Sequence, residues 1–345
     1  MIASPHLARL GAYARPAGGP GTAAARRYCR SVLEPLGFAI REQEFEYSAF
    51  GGARAMPVLG VAIPLAATAA VAARASHPWL AAVAAAALCV AMALVAYAGG
   101  AGVLGLPMMR RRGTNLVATR GAEEPLGWLV AHIDSKWQPV SMIVRVGGIV
   151  LSGVALAGVI VATIAGSPAA SPLVVLLWLA ALPLMLSVVG ARNHGTVDNA
   201  SGVAAVLDAV ERLPADLRIG VLITDAEELA LAGARAWARG RMAGLGFALN
   251  CDSIDDAGPL TAMYTGARER QADLLAALSM GAAAEGEPFR AMRLLPGVLA
   301  DSVALAGAGW RSVTLSRGTV RTLGRIHTSR DTLDAMRGTG IPGAA

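Results

Sequence analysis

LVAHIDSKW, residues 129–137, is the stretch from which the rest of the chain is read. An apolar run delivers His132 and Asp134 and then gives way to polar residues, the pattern of a buried strand that ends in chemistry. Strand residues two apart share a face, so both side chains point to one side. His132 can then ligate a metal through one ring nitrogen while Asp134 accepts a hydrogen bond from the other, which fixes the tautomer.

Two long apolar blocks flank this strand. The 345 residues are 55% hydrophobic and 16% charged, more apolar sequence than one soluble domain usually needs, and the excess is concentrated rather than spread. Residues 56–73 and 78–109 carry no charge and are long enough to cross a bilayer twice, at about 20 residues per span. Residues 146–166 and 172–190, joined by SPAASP, read as a second helical hairpin, with Trp137 and Arg145 placed as interfacial anchors. No Asp, Glu or Lys lies inside the four expected spans, which argues against an ion pathway at membrane depth.

The expected layout is therefore a polar domain built from residues 1–55, 110–140 and 191–336. It is interrupted by hairpins at 56–109 and 141–190 and followed by a flexible tail, 337–345. Arg54, Arg110, Arg111, Arg112, Lys136, Arg145 and Arg192 flank one side of the spans and only Arg74 the other. The positive-inside bias puts the polar domain on the cytoplasmic face of the cell (inner) membrane, the extracytoplasmic side being the alternative. The net charge of +6 comes from scattered arginines without an aromatic platform, so a lipid surface is the expected partner and nucleic acid is not. Cys29, Cys89 and Cys251 are too few and too far apart for a disulfide framework. The N-terminus has no sustained apolar core of the kind a cleavable signal needs.

Within the polar domain, TAAARRYCRSVLEPLG (22–37) has helical spacing, FAIREQEFEY (38–47) alternates like an edge strand, and residues 115–119 are a short strand candidate. From residue 191 the pattern becomes alternating α/β. DNASGVAAVLDAVERL is a helix with Val203, Val206, Leu207 and Val210 on one face, RIGVLIT a buried strand, and EELALAGARAWARG a second helix. FALNCDSI is another strand, residues 271–284 and VLADSVALAGAG read as helices, and RSVTLSRG is the last strand. The fold class is α/β, a mixed sheet sandwiched by helices.

Ligand-type residues follow these apolar runs: His132 and Asp134, then Asp225, Glu227 and Glu228, then Asp252. Open α/β sheets bind ligands at the carboxyl ends of their strands, so the runs converge on one crevice. Asp198 opens a helix and His327 lies in the polar loop GRIHTSRDT. Two histidines with several carboxylates, and no thiolate cluster, form the ligand set expected of catalytic zinc. Taken singly each has a plainer reading: Glu227 and Glu228 as acids favoured at a helix N-terminus, Asp198 as a cap, His327 as a loop residue.

The order and spacing of AHIDS, DNASGVAAVLDA, TDAEELALAGARAW, ALNCDSI and IHTSRDT resemble the co-catalytic di-zinc aminopeptidases, the family of bacterial leucyl aminopeptidase, aminopeptidase Y and the glutamate carboxypeptidases. The resemblance implies a zinc-exopeptidase-like fold acting on peptide substrates, with both apolar hairpins as insertions. It makes Asp198 the bridge between two zinc ions, with His132 and Asp252 on one and Glu228 and His327 on the other. Glu227 becomes the general base for the attacking water, and Asp134 orients His132. Several relatives have a Tyr before the last His ligand; here Ile326 stands there, so no oxyanion-stabilising residue is assigned. Asp301, Ser302 and Asp331 are expected as caps or supporting acceptors, His194 as a loop residue, and Cys251 as a small buried side chain. The alternatives are a single-zinc glutaminyl cyclase and a metal-free scaffold or receptor of the same fold.

Overall fold

In a computed structural model, residues 4–121, 123–241, 246–295 and 297–336 are described; the expected tail from Arg337 lies outside them. The chain divides into two compact units, one of Met1–Tyr47, Arg110–Trp137 and Gly190–Ala345, the other of Ser48–Met109 and Gln138–Val189.

The first unit is organised on a mixed sheet. Among the described residues its strands are β1 (Ala39–Ser48), β2 (Arg110–Thr119), β3 (Gly127–His132), β4 (Ile219–Thr224), β5 (Phe247–Ile254), β6 (Leu260–Tyr264), β7 (Phe289–Arg293) and β8 (Arg311–Arg317), in spatial order β1-β2-β4-β3-β5-β8-β6-β7. The central strands β4, β3, β5 and β8 are mutually parallel, whereas β2 meets β4 and β6 meets β8 antiparallel. Parallel strands need both faces covered, and β3 and β4 are buried at every position. One face packs Trp128, Val130 and Leu222 against Trp237 of the helix Ala232–Ala238 and Leu305 of the helix Asp301–Gly307. On β3 and β5 also lies the helix Gly202–Arg212, whose Val203, Val206, Leu207 and Val210 are buried as their spacing predicts.

His132 ends β3 level with Thr224 at the end of β4, so the strand ends carrying ligand-type residues are in register. The expected edge strand FAIREQEFEY is β1, at one end of the order. Two strands escaped the sequence pattern: β6 is only five residues long, and β7, FRAMR, is equally short and carries two arginines, Arg290 and Arg293.

Two helical expectations change at their starts. The first of them does not begin at Asp198, which has φ −117° and ψ 86°; regular helix starts at Gly202. The second is preceded by a single 3₁₀ turn, Glu227–Leu229, bounded by Ala226, Ala230 and Leu231 at positive φ, and begins only at Ala232. In both places the side chains that a helix would splay around its axis are instead aimed by irregular backbone.

The second unit is helical: Phe50–Ala73, Pro78–Ala98, Met142–Ile164 and Ala170–Met185. Three of these are long and apolar enough to span a bilayer, with mean hydropathy of 1.9, 2.4 and 2.2; the fourth runs for 16 residues, shorter than the sequence expectation. Gly60 lets two helices approach, since a Cβ there would stand 2.7 Å from the Met185 backbone nitrogen. Thr68 donates to the Pro64 carbonyl at 2.7 Å and accepts from the Trp178 indole at 3.0 Å.

Candidate metal centre

Strand ends, loops and one tight turn bring six of the seven expected site residues around one point, and the seventh, Asp134, stands behind them. His132 Nε2 lies 3.2 Å from Asp198 Oδ1, 3.7 Å from Asp252 Oδ1 and 3.9 Å from Glu227 Oε2. His327 Nε2 lies 2.9 Å from Asp198 Oδ2 and 3.2 Å from Glu228 Oε1. Asp198 thus turns one oxygen to each histidine, and two three-donor groups share it: His132, Asp198 and Asp252, and Asp198, Glu228 and His327. Glu227 reaches the centre and belongs to neither group.

Asp134 does more than the sequence suggests. The His132 Nδ1 lies 3.1 Å from its carbonyl oxygen and 3.5 Å from its carboxylate, leaving Nε2 for the centre. The two carboxylate oxygens accept the backbone N–H groups of Glu227 and Glu228 at 3.1 and 3.2 Å. One buried carboxylate therefore holds both the histidine and the turn that presents the two glutamates.

Asp198 is held in the same fashion. Asp331 accepts from the amides of Val197 and Asp198 at 2.7 and 3.2 Å, fixing the irregular segment before Gly202. Gly195, at φ 60°, lets this segment pass Ser135, whose Cβ would be 2.5 Å from an added Cβ. Ser302 bonds Thr314 at 2.6 Å, and Asp301 accepts from Thr224, so the expected supporting roles describe all three of these residues.

Two residues that sequence reasoning passed over complete the arrangement. Lys136, within the quoted stretch, donates to Glu228 Oε2 and leaves Oε1 facing the centre. Arg15 is fully buried, and its guanidinium donates to the carbonyls of Leu10, Tyr13, Ile133, His194 and Gly195. It joins the N-terminal segment to the loop after His132 and the loop before Asp198. Burial lowers its pKa to about 10, still charged at neutral pH. His194 enters this network through its carbonyl and is in neither donor group. Asp225 also stays apart, accepting from the amides of Gly18, Thr114 and Ala226.

The electrostatics of the centre favour added positive charge. Burial alone would lower the His132 pKa, yet the carboxylates around it, Glu227 foremost, hold it well above the usual imidazole value. Burial opposes ionisation of Glu228, but His327 and Lys136 outweigh it and bring the group down to about 2. Glu227 moves the other way, raised by burial and by the charges of Glu228 and Asp252 despite His132. Adjacent glutamates are thus driven apart in acidity, as a ligand and a base require. Cys251 is buried with its thiol pushed up to about 12, so it remains a small core side chain. Ile326 is buried and offers no polar group.

A divalent ion fits both donor groups. Glu228 Oε1 is buried and makes no hydrogen bond although His327 Nε2 stands 3.2 Å away, leaving an acceptor open towards the centre. A tetrahedral ion with bonds near 2.0–2.1 Å has donor–donor edges of about 3.3 Å, and the edges within the two groups measured from the histidines are 2.9–3.7 Å.

A family model, Peptidase family M28, matches residues 115–342. Among solved structures the chain is similar to an aminopeptidase from Aneurinibacillus sp. strain AM-1, with 16% identity and a TM-score of 0.57 over 98% of this chain and 91% of that one. It is similar to a zinc aminopeptidase from Bacillus subtilis, with 13% identity and a TM-score of 0.55 over 98% and 92%. A glutaminyl cyclase from Fimbriiglobus ruber is comparably similar, with 16% identity and a TM-score of 0.56 over 98% and 89%. At these identities the likeness is one of fold. A search of curated proteins finds no match.

Proposed function

The chain belongs to peptidase family M28, and from that premise we propose that it is a membrane-anchored, zinc-dependent aminopeptidase. The observation that carries this reading is the pair of donor groups sharing Asp198, with Glu227 beside them and in neither. His132, Asp198 and Asp252 would hold one zinc ion, and Asp198, Glu228 and His327 the other. Bound there, the ions supply Lewis acidity to the scissile carbonyl and the attacking water.

The protein's own groups carry the rest. Glu227, raised in pKa by its surroundings, takes the proton from the water and returns it to the leaving amine. Asp134 keeps Glu227 aimed through its backbone amide, and Lys136 occupies Glu228 Oε2 so that Oε1 is the oxygen presented. On this reading the substrate presents a free amine at the peptide's N-terminus.

Lipid anchoring is supported by the second unit, where Leu94, Val154 and Ile164 stand out from helices of spanning length. The arginines Arg54, Arg110, Arg111, Arg112, Arg145 and Arg192, set against Arg74 alone, favour a cytoplasmic peptidase unit. Lys136, buried on Glu228, drops out of that count.

The test is release of N-terminal residues from short peptides by the zinc-loaded protein. Free peptides should be cleaved and N-acetylated ones spared. Pyroglutamate formation from N-terminal glutamine with one ion bound would favour the cyclase instead, and inactivity towards both with no metal retained would favour the scaffold.

A further inference from the structure

A third cluster of the same kind lies away from the centre just described. His6, on the helix Pro5–Leu10, and Asp208 and Glu211, on the helix Gly202–Arg212, form a further group whose donor atoms all lie within 4.8 Å of one another. Its dimensions repeat those of the catalytic group around His132. His6 Nε2 is 3.1 Å from Glu211 Oε1 and 3.7 Å from Asp208 Oδ1, against 3.2 and 3.7 Å from His132 Nε2 to its two carboxylates. The far nitrogen is also held in both: His6 Nδ1 meets the Tyr28 hydroxyl at 2.7 Å, as His132 Nδ1 meets Asp134. These separations match the edge of a tetrahedral ion, about 3.3 Å; without an ion His6 Nε2 hydrogen-bonds Glu211 directly at 3.1 Å, while Asp208 stands beyond that reach at 3.7 Å.

We propose that His6, Asp208 and Glu211 bind a divalent cation of zinc or manganese type, distinct from the ions of the peptidase centre. One imidazole and two carboxylates are the oxygen-rich, borderline donor set that such ions accept. Asp208 and Glu211 are three residues apart and face the same way on their helix; Ser4 donates to Asp208 Oδ1 at 3.1 Å and His6 meets both acids, and a divalent cation would relieve the remaining repulsion of their like charges. His6 is buried while Glu211 is 45% exposed, so the ion is anchored from within and keeps a face open to water. It exchanges with solvent more readily than an ion enclosed at the centre. Its role is to tie the N-terminal helix to the helix that follows the Asp198 segment, reinforcing the burial of Leu7 and Leu10.

The experiment uses the full chain, stripped with a chelator and titrated with zinc, comparing the native protein with Glu211→Gln and Asp208→Asn. Both substitutions are at partly exposed positions and preserve side-chain shape. The expected result is one fewer bound equivalent in each variant, or at least a tenfold loss of affinity for that equivalent, with peptidase activity within twofold of native. Zinc should also raise the melting temperature of Glu211→Gln less than that of the native chain. His327→Ala, which disables the peptidase centre, should retain the equivalent lost in Glu211→Gln, so failure of one site is read separately from failure of the other. Equal equivalents with affinities within threefold in native and Glu211→Gln protein would overturn the proposal and leave the cluster a hydrogen-bond network.

Discussion

In the α/β unit Arg15, Asp134, Asp225, Asp301 and Asp331 are wholly buried, whereas in the helical unit Leu94, Val154 and Ile164 are 62, 67 and 82% exposed. The two regions invert each other. In the first, folding removes charge from water and replaces the water with amides, carbonyls and opposing charges. In the second, helices bond polar groups such as Thr68 and Trp178 to each other and turn apolar side chains outward. Isolated buried charge is costly, and so is a broad apolar surface in water. On the proposed reading, cations at the centre and lipid around the helices would complete what the protein's own hydrogen bonds and packing leave open. The proposed function assigns each region a component to recruit, metal for the first and lipid for the second.

Removing the recruited component's anchor should have the largest effect. Asp198→Asn, which alters the residue shared by both donor groups, should lose zinc from the centre and reduce peptide hydrolysis to background; metal analysis and a peptidase assay check both. Glu227→Gln should separate binding from chemistry. It is expected to keep zinc at the centre while kcat falls by about 10²–10⁴-fold, the usual worth of a general base. A Glu227→Gln protein as active as native would assign the base elsewhere.

The opposite region is probed by charge. Val154→Arg places a cation near the middle of the helix Met142–Ile164, at a cost to bilayer insertion of about 2.5–3.5 kcal/mol. The substituted protein should shift from the membrane to the soluble or aggregated fraction, and unchanged membrane recovery would contradict lipid exposure of that face. A smaller effect is expected at Arg15. Replacing it by Met leaves five carbonyls without their donor, and zinc affinity should drop by about 10–100-fold, the range for groups that orient ligands. Partial recovery with added guanidinium would show that the lost fork, rather than general damage, is responsible.

How much of this was legible in the sequence follows from distance and regularity. His132, Glu227, Glu228 and Asp252 could be found because each closes or follows an apolar strand run, and such runs declare themselves by composition. Asp198 and His327 were found as members of the ordered set. Arg15 and Lys136 were not, because what defines them is the carbonyls and the carboxylate they meet, contributed from as far as 180 and 92 residues away. The tight turn before Ala232 was hidden too: Ala226, Ala230 and Leu231 hold positive φ where composition favours helix.

The gentlest probe of the comparison is pH. Burial, reinforced by the nearby charge of Asp134, raises Asp225 to about 7, against about 3.9 when unfolded. A carboxyl group raised on folding contributes stability that is full below about pH 4 and is lost as pH rises through 7. Asp301, raised to about 7, and Asp331, raised to about 6, act with the same sign. The metal-free protein should therefore melt at a lower temperature at pH 8 than at pH 5.5, and Asp225→Asn should reduce the difference. A melting temperature that rises over that interval would contradict the assignment.

The central claim is that one carboxylate is shared between two ions in a cage drawn from distant parts of the chain. Zinc-edge anomalous scattering from crystals of the zinc-loaded protein tests it directly. Two peaks about 3.5–4 Å apart are predicted, one among His132, Asp198 and Asp252 and one among Asp198, Glu228 and His327. A single peak in the cage, or none, would contradict it.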